Sequence, residues 1–212
     1  MDISGIYITK ALSSGLLAYC VIRVIAPPTT ISAATASDAH DPVSSSTKPR
    51  DSVSLLATPT ALRVVLNTVR ILFPLLTVLY VAQSSAVREP WSLAEVLALA
   101  TGAFGGWLRV ASYRALDKFF TYRLTIQKDH TLVQTGPYKY LLHPSYTALV
   151  LTGLGYVAFH RSSPILASAW LFVSLTALAV RLTEEEAALA EHFGEAWKRH
   201  AAERWRLIPG IW

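Results

Sequence analysis

Apolar side chains run in long stretches along this chain, separated by short polar blocks. A bilayer core about 30 Å thick needs roughly 20 mostly apolar residues per helix. Five stretches qualify as candidates: 5–26, 64–87, 91–108, 145–159 and 164–180. Lys10 and Arg23 lie near the two ends of the first, both placed to snorkel toward polar surroundings. The second carries no charge after Arg70, the third contains Glu95, and the last two have no charge at all. The turn His160-Arg161-Ser162-Ser163 alone separates that final pair, so the pattern predicts an antiparallel hairpin. The fold class expected is all-α, a polytopic transmembrane helical bundle of about five spans, because lipid leaves the backbone few other options.

Composition supports this class. Hydrophobic residues make up 52% of the 212 and charged residues 16%, against roughly 25% charged in an average soluble domain. A disordered chain is excluded, and an ordinary soluble globule is a poor fit. The one cysteine, Cys20, permits neither an intrachain disulfide nor a metal site built from several thiolates. The net charge of +5 is spread among apolar runs, so it reads as a membrane topology signal and not as a nucleic-acid surface. Residues 27–60, rich in Ser, Thr, Ala and Pro, cannot bury a core and read as a flexible connection. The chain therefore divides into N-terminal spans and connection, 1–90, and a second membrane region, 91–212. The first span reads as a retained helix and not a signal peptide: Arg23 and Pro27-Pro28 interrupt the region, and no basic cluster precedes it.

Basic residues set the orientation. Arg109, Arg114, Lys118, Arg123, Lys128 and Lys139 face only Asp117 and Asp129 across the linker 109–142, and the C-terminal tail adds Lys198, Arg199, Arg204 and Arg206. Both ends of the final hairpin then belong in the cytosol, with Arg161 on the far side. Counting back places Arg63 and the 27–60 connection in the cytosol and the N-terminus opposite.

Two cytosolic polar blocks hold most of the chemically capable side chains. The first runs from Asp129 to Tyr146. Its Gly136-Pro137 is a turn signal, and Pro144 suits the first position of a helix. His143 would sit just outside that helix, where backbone donors and the positive dipole end can receive a carboxylate or phosphate. The second runs from Arg181 to Trp197, with Leu189, Phe193, Ala196 and Trp197 on one face of an amphipathic helix. If the fifth helix continues unbroken, Arg181 and Glu185 share a face at i, i+4; alternatively, Thr183 and Glu186 form a capping box and start a new helix. Taken singly, these residues have plainer explanations: an interfacial histidine, a topology arginine, and a solvated glutamate run.

Their combination is more specific. His130-x-Leu132-Val133-x-x-Gly136-Pro137-Tyr138, then His143-Pro144-Ser145-Tyr146, then Arg181-x-x-x-Glu185-Glu186-x-x-Leu189, then Phe193-Gly194 resembles the isoprenylcysteine carboxyl methyltransferase family. The closing Arg206-Leu207-Ile208-Pro209-Gly210-Ile211-Trp212 is similar to the end of many fungal members. The resemblance covers about 109–212; residues before about 90 match only as hydrophobic spans.

The resemblance implies a multi-pass endoplasmic reticulum enzyme with its active site facing the cytosol. Such enzymes transfer a methyl group from S-adenosylmethionine to the carboxylate of a C-terminal prenylated cysteine, with membrane lipid as surroundings and no nucleic acid involved. It further implies cofactor-contacting positions at His130, Thr131, Leu132, Val133, Tyr138, His143, Pro144, Ser145 and Tyr146, a cofactor-binding glutamate at Glu185, and a substrate-binding, catalytic arginine at Arg181. No metal ligand is implied. One departure stands out: the residue before His143 is usually arginine in this family and is Leu142 here. The competing functions are a phospholipid N-methyltransferase, a fungal small-molecule carboxyl methyltransferase, an NADPH-dependent sterol or enone reductase, and a non-enzymatic membrane scaffold. The resemblance leaves oligomeric state open.

Overall fold

A computed structural model of the chain describes residues 3–25, 59–117, 131–161 and 164–211. The flexible connection expected at 27–60 falls almost entirely outside them, as do the linker bases Lys118, Arg123 and Lys128, the candidate His130, and Ser162-Ser163. Six helices make up the described fold: α1 (Ile3–Ile25), α2 (Pro59–Gln83), α3 (Leu93–Leu116), α4 (Pro144–Phe159), α5 (Pro164–Phe193) and α6 (Glu195–Ala202). Short 3₁₀ turns stand at Ser85–Arg88 and Gly136–Lys139. Among the described residues there is no strand, and one isolated parallel bridge joins Leu141 to Trp205. Among the described residues, two helices, α1 and α3, are long and apolar enough to cross a bilayer.

Local chemistry explains the helix ends. The Ser92 hydroxyl accepts from the Glu95 backbone N–H (3.2 Å) while Glu95 accepts from the Ser92 N–H (2.9 Å), a reciprocal cap that starts α3. That helix runs eight residues past the expected end at 108, to Leu116, so Arg109 and Arg114 are helical and not part of a linker. Pro144 opens α4 as expected, with His143 as the preceding cap residue. The two alternatives at Thr183 resolve in favour of an unbroken helix: the Thr183 hydroxyl donates to the Ala179 carbonyl one turn back (2.9 Å), a mid-helix arrangement. At about 1.5 Å per residue, the 30 residues of α5 make it the longest of the described helices. Gly194, at φ +53°, ends this helix with a backbone conformation that L side chains rarely adopt. The continuous amphipathic face expected across Leu189, Phe193, Ala196 and Trp197 is therefore broken there: Trp197 is buried and Ala196 exposed.

The bundle is organised around α3 and α4, which touch backbone to backbone. Added Cβ atoms show how close: at Gly155 one would collide with the Gly102 backbone, and at Gly105 one would lie 2.7 Å from the Thr152 nitrogen and 2.9 Å from the Ala148 carbonyl. On its other side α3 meets α1, where Gly106 faces Cys20. Small residues allow this approach, and dispersion contacts between the helices follow from it. Leu17, Ala18, Val21, Ala98, Tyr156 and Phe159 form the core between α1, α3 and α4. α1 is thus packed into the bundle.

Lys10 does not snorkel. Its ammonium is fully buried and lies 2.7 Å from the buried Glu95 carboxylate, with a further bond to the Ala86 carbonyl at 2.9 Å. An amphipathic side chain reaches outward only when nothing inside can take its charge, and Glu95 takes it. Arg161 closes the same cluster with contacts to Glu89 (2.7 Å) and Glu95 (3.5 Å). At the opposite end of α1 and α3, the Arg109 Nε donates to the Val24 carbonyl (2.9 Å). Both the Lys10–Glu95 and Val24–Arg109 pairs are 85 residues apart in sequence, so α1 and α3 run parallel in a constant register.

Breaking a buried pair by removing one partner costs about 3–5 kcal/mol, because it strands the other charge. Lys10→Met should therefore destabilise the detergent-solubilised protein by that order, and the double variant Lys10→Met/Glu95→Gln should recover part of the loss. Thermal unfolding of both variants measures this; a double variant less stable than Lys10→Met alone would contradict it. At the glycine contact, Gly155→Ala should cost about 1–3 kcal/mol by overpacking. Gly15→Ala is the control: its added methyl meets nothing within 4 Å and should stabilise by up to about 1 kcal/mol through helix propensity.

Candidate active site

The packing of α3 on α4 fixes the first turn of α4. The buried Arg109 guanidinium, stacked on Tyr113 (4.4 Å to the ring centroid), donates from one Nη1 to the Ser145 carbonyl (3.0 Å) and to the Ser145 hydroxyl. Arg109 thus ties together α1, α3 and the start of α4. Expected as a cytosolic topology charge, it is an internal clasp instead, because the turn-forming backbone beside it offers carbonyl acceptors that a fork of five donors can use.

From the other side, the C-terminal segment is laid along 140–143. The Leu142 N–H donates to the Trp205 carbonyl (2.8 Å), the His143 N–H to the Arg206 carbonyl (3.1 Å), and the Trp205 N–H to the Tyr140 carbonyl (3.2 Å). The Thr147 hydroxyl reaches the Leu207 carbonyl (2.8 Å). Leu207 itself is buried against Leu178 and Leu182 of α5, with Tyr146 and Val150 alongside. Three elements therefore converge where α4 begins.

Their polar side chains form a chain of contacts. The Tyr146 hydroxyl donates to Glu185 Oε2 (2.6 Å) and accepts from Arg181 Nε (3.3 Å). His143, 3% exposed, places Nδ1 3.6 Å from Glu185 Oε1 and Nε2 3.0 Å from Glu186 Oε1. Arg206 grips Glu186 side-on: Nε donates to Oε1 at 2.9 Å and Nη2 contacts Oε2. One helical turn separates Arg181 from Glu185 on the unbroken α5, which is why both reach Tyr146.

Electrostatics follow from this crowding. Burial favours neutral His143, yet its hydrogen bonds to the Glu185 and Glu186 carboxylates outweigh it and hold the imidazole above its ordinary value of 6.5. Burial likewise opposes ionisation of both glutamates. His143, Tyr146 and Arg181 nevertheless hold Glu185 below the usual carboxylate range, and His143 with Arg206 pulls Glu186 down to about 2. Burial, with the Glu185 charge nearby, pushes the Tyr138 phenol up, so it stays a neutral donor.

The candidates named from sequence separate into groups. His143, Tyr146, Arg181 and Glu185 are in mutual contact, and Tyr138 is buried beside them on its 3₁₀ turn. Pro144 and Ser145 are buried, and Ser145 is engaged by Arg109. Thr131 is exposed and Leu132 and Val133 are half-buried. Two members of the cluster carried no assigned role: Glu186, one of three adjacent glutamates, and Arg206, which stood only in the closing motif. The helix phase of Glu186 was readable in principle, but a partner 20 residues away was not.

A family model described as the isoprenylcysteine carboxyl methyltransferase (ICMT) family matches residues 97–191, from the second turn of α3 to the extension of α5. That range contains His143, Tyr146, Arg181 and Glu185. The match covers 95 of the 212 residues, a little under half of the chain. The chain is 30% identical over 111 residues to a protein-S-isoprenylcysteine O-methyltransferase of Dictyostelium discoideum, covering 51% of this chain and 46% of that protein. It is 29% identical over 119 residues to one of Schizosaccharomyces pombe, covering 52% and 47%. The chain thus spans about half the length of the curated relatives it matches. No solved structure matches it significantly. Within the matched region, the α4–α5 hairpin carries the cluster; from outside it, Val24 of α1 contacts Arg109 and Arg206 contacts Glu186.

The His143 cluster should be visible in the pH dependence of stability. A folded-state value above 6.5 means that the His143 contribution is complete below pH 6.5 and is lost as pH rises through the raised value. The Glu186 contribution is present above its ordinary 4.5 and is lost as pH falls toward 2. Unfolding temperatures in detergent should therefore decline as pH rises from 6.5 through that raised value, and His143→Gln should flatten that decline. Parallel alkaline slopes in the two proteins would show that His143 is not held charged.

Proposed function

We propose that this protein transfers the methyl group of S-adenosylmethionine to the carboxylate of a C-terminal prenylated cysteine. In this reading it is a five-span protein of the endoplasmic reticulum membrane, with 91–212 as its catalytic region and the site facing the cytosol. The observation that carries the reading is the Arg181–Tyr146–Glu185–His143 chain inside the range that matches the family. Support for the orientation comes from Arg114, Lys139, Lys198, Arg199, Arg204 and Arg206, which lie in the segments at that end of the helices.

The donor set suits a cationic sulfonium amino acid. An ionised, half-buried Glu185 stands beside aromatic Tyr146, with buried Tyr138 as a neutral phenol donor. Glu185 and these tyrosines, with His143, Ser145 and the 130–133 stretch, would hold the cofactor. When bound, S-adenosylmethionine supplies a methyl group activated by the adjacent sulfonium. Arg181 would hold the acceptor carboxylate with its forked donors. That carboxylate is already a nucleophile at neutral pH, so no side chain must take a proton. What the protein contributes is alignment and removal of water. Tyr146 serves both partners, since it touches Arg181 and Glu185 at once and fixes their separation. The prenyl chain, worth roughly 0.8 kcal/mol per buried CH₂, would lie among the helices in contact with lipid.

Isolated membranes containing the protein, incubated with labelled S-adenosylmethionine and N-acetyl-farnesylcysteine, phosphatidylethanolamine or sterols, test the acceptor. Label should appear as a base-labile ester on the farnesylcysteine alone; label on phosphatidylethanolamine instead would move the reading to the N-methyltransferases. Glu185→Gln should mainly raise the KM for S-adenosylmethionine, and Arg181→Lys should mainly slow transfer and weaken the acceptor. Each loses one charge-assisted contact, about 1.5–3 kcal/mol or roughly 10- to 150-fold in kcat/KM. The exposed Glu191 provides the control: Glu191→Gln should stay within about twofold.

A further inference from the structure

Arg206 lies beyond the 97–191 range matched by the family, and the resemblance attaches no role to it. Its backbone and its side chain nevertheless act on the same neighbour. The Arg206 carbonyl accepts from the His143 N–H (3.1 Å), while its guanidinium holds the carboxylate that faces the His143 ring. Glu186 Oε1 is shared between the two cations, 2.9 Å from Arg206 Nε and 3.0 Å from His143 Nε2. Buried Leu207 and the Trp205 backbone bonds fix the segment on either side of Arg206. The position before His143, where the resembling family usually has arginine, is here the buried Leu142; a guanidinium from the C-terminal segment instead reaches Glu186, the carboxylate beside the histidine.

We propose that Arg206 is a positioning residue of this site: its side-on hold on Glu186 fixes the carboxylate that orients His143, and through His143 the Glu185–Tyr146–Arg181 chain. A glutamate with one cationic neighbour can follow that neighbour through several rotamers. A glutamate whose two oxygens are both engaged by a guanidinium fork cannot, so the His143 ring meets an acceptor in a fixed place. The charged and titratable groups facing His143 are Glu185 and Glu186 from α5, Arg206 from the C-terminal segment through Glu186, and Tyr146 from its own helix. This deepens the methyltransferase reading and rests on it only where methyl-donor binding is measured.

The test is ring-labelled histidine NMR on the full chain in nanodiscs, with the His143 signal assigned by its loss in His143→Gln. Arg206→Gln removes a cation that shares Glu186, so the carboxylate favours His143 and its titration midpoint should rise by about half a unit or more. Arg206→Lys keeps the charge and loses the fork; its midpoint should stay within about 0.3 units of wild type while S-adenosylmethionine binding weakens by about tenfold. A merely structural anchor for the tail would lower the unfolding temperature and leave the His143 midpoint where it was. An unchanged midpoint in folded Arg206→Gln overturns the proposal. If Arg206→Gln does not fold, Arg206→Lys in two backgrounds decides: it should change the His143 ring signal in the wild-type background but not beside Glu186→Gln, and equal changes in both overturn it. Failure of the wild-type protein to bind S-adenosylmethionine would refute the methyltransferase reading, while the ligand-free His143 signals would still decide the role of Arg206.

Discussion

The close backbone approach of α3 and α4 is the constraint on which the other contacts depend. Gly102 against Gly155 and Gly105 against Thr152 and Ala148 set an antiparallel register, and continuing it one turn brings Arg109 to Ser145. In lipid there is no hydrophobic gain from pressing one apolar helix on another, so short-range packing must supply the association. Glycines supply it by letting two backbones meet. Once that register is set, the start of α4 has a fixed height, and so do His143 and Tyr146.

Charge then fastens the bundle at both ends in different ways. At the end holding the first turns of α1 and α3, Lys10 and Glu95 neutralise each other in the interior, with Arg161 and Glu89 at the margin. At the opposite end, Arg109 donates to carbonyls at the last turn of α1 and the first turn of α4. The outer layer at that end is a sequence of alternating charges, from Arg206 through Glu186, His143 and Glu185 to Arg181 by way of Tyr146. Each anion sits beside at least one cation, which keeps both glutamates ionised despite burial. Such an arrangement favours ligands that carry both signs of charge.

Helical class, the hairpin turn and the start of α4 at Pro144 could be read from the chain because each rests on local physics. Apolar run length sets a helix against a bilayer, and proline fixes one dihedral angle and removes one donor. The residues that gather at the site were also recognisable, since Arg181 and Glu185 are one helical turn apart and the surrounding motif is specific. Other readings needed more than local information. The fate of Thr183, at a cap or inside a helix, was balanced until α5 was seen to continue through it. The apolar face drawn through Trp197 assumed a helix that Gly194 interrupts.

By itself, then, the sequence determined which segments are helical and apolar, where proline and glycine punctuate them, and which polar residues travel together through the family motif. Only the tertiary structure decided what the isolated charges do. Lys10 and Arg23 looked alike at the two ends of one span, yet Lys10 is buried because Glu95 stands opposite it, and Arg23 is exposed. Arg109 counted as one more cytosolic base, yet it clasps three helices. Arg206 gained a partner 20 residues back in the chain, across the turn at Gly194. The physical reason is the same in each case. A charge takes the best partner within a few ångströms, and which partner lies there is set by helix register and chain path, quantities that no local pattern contains.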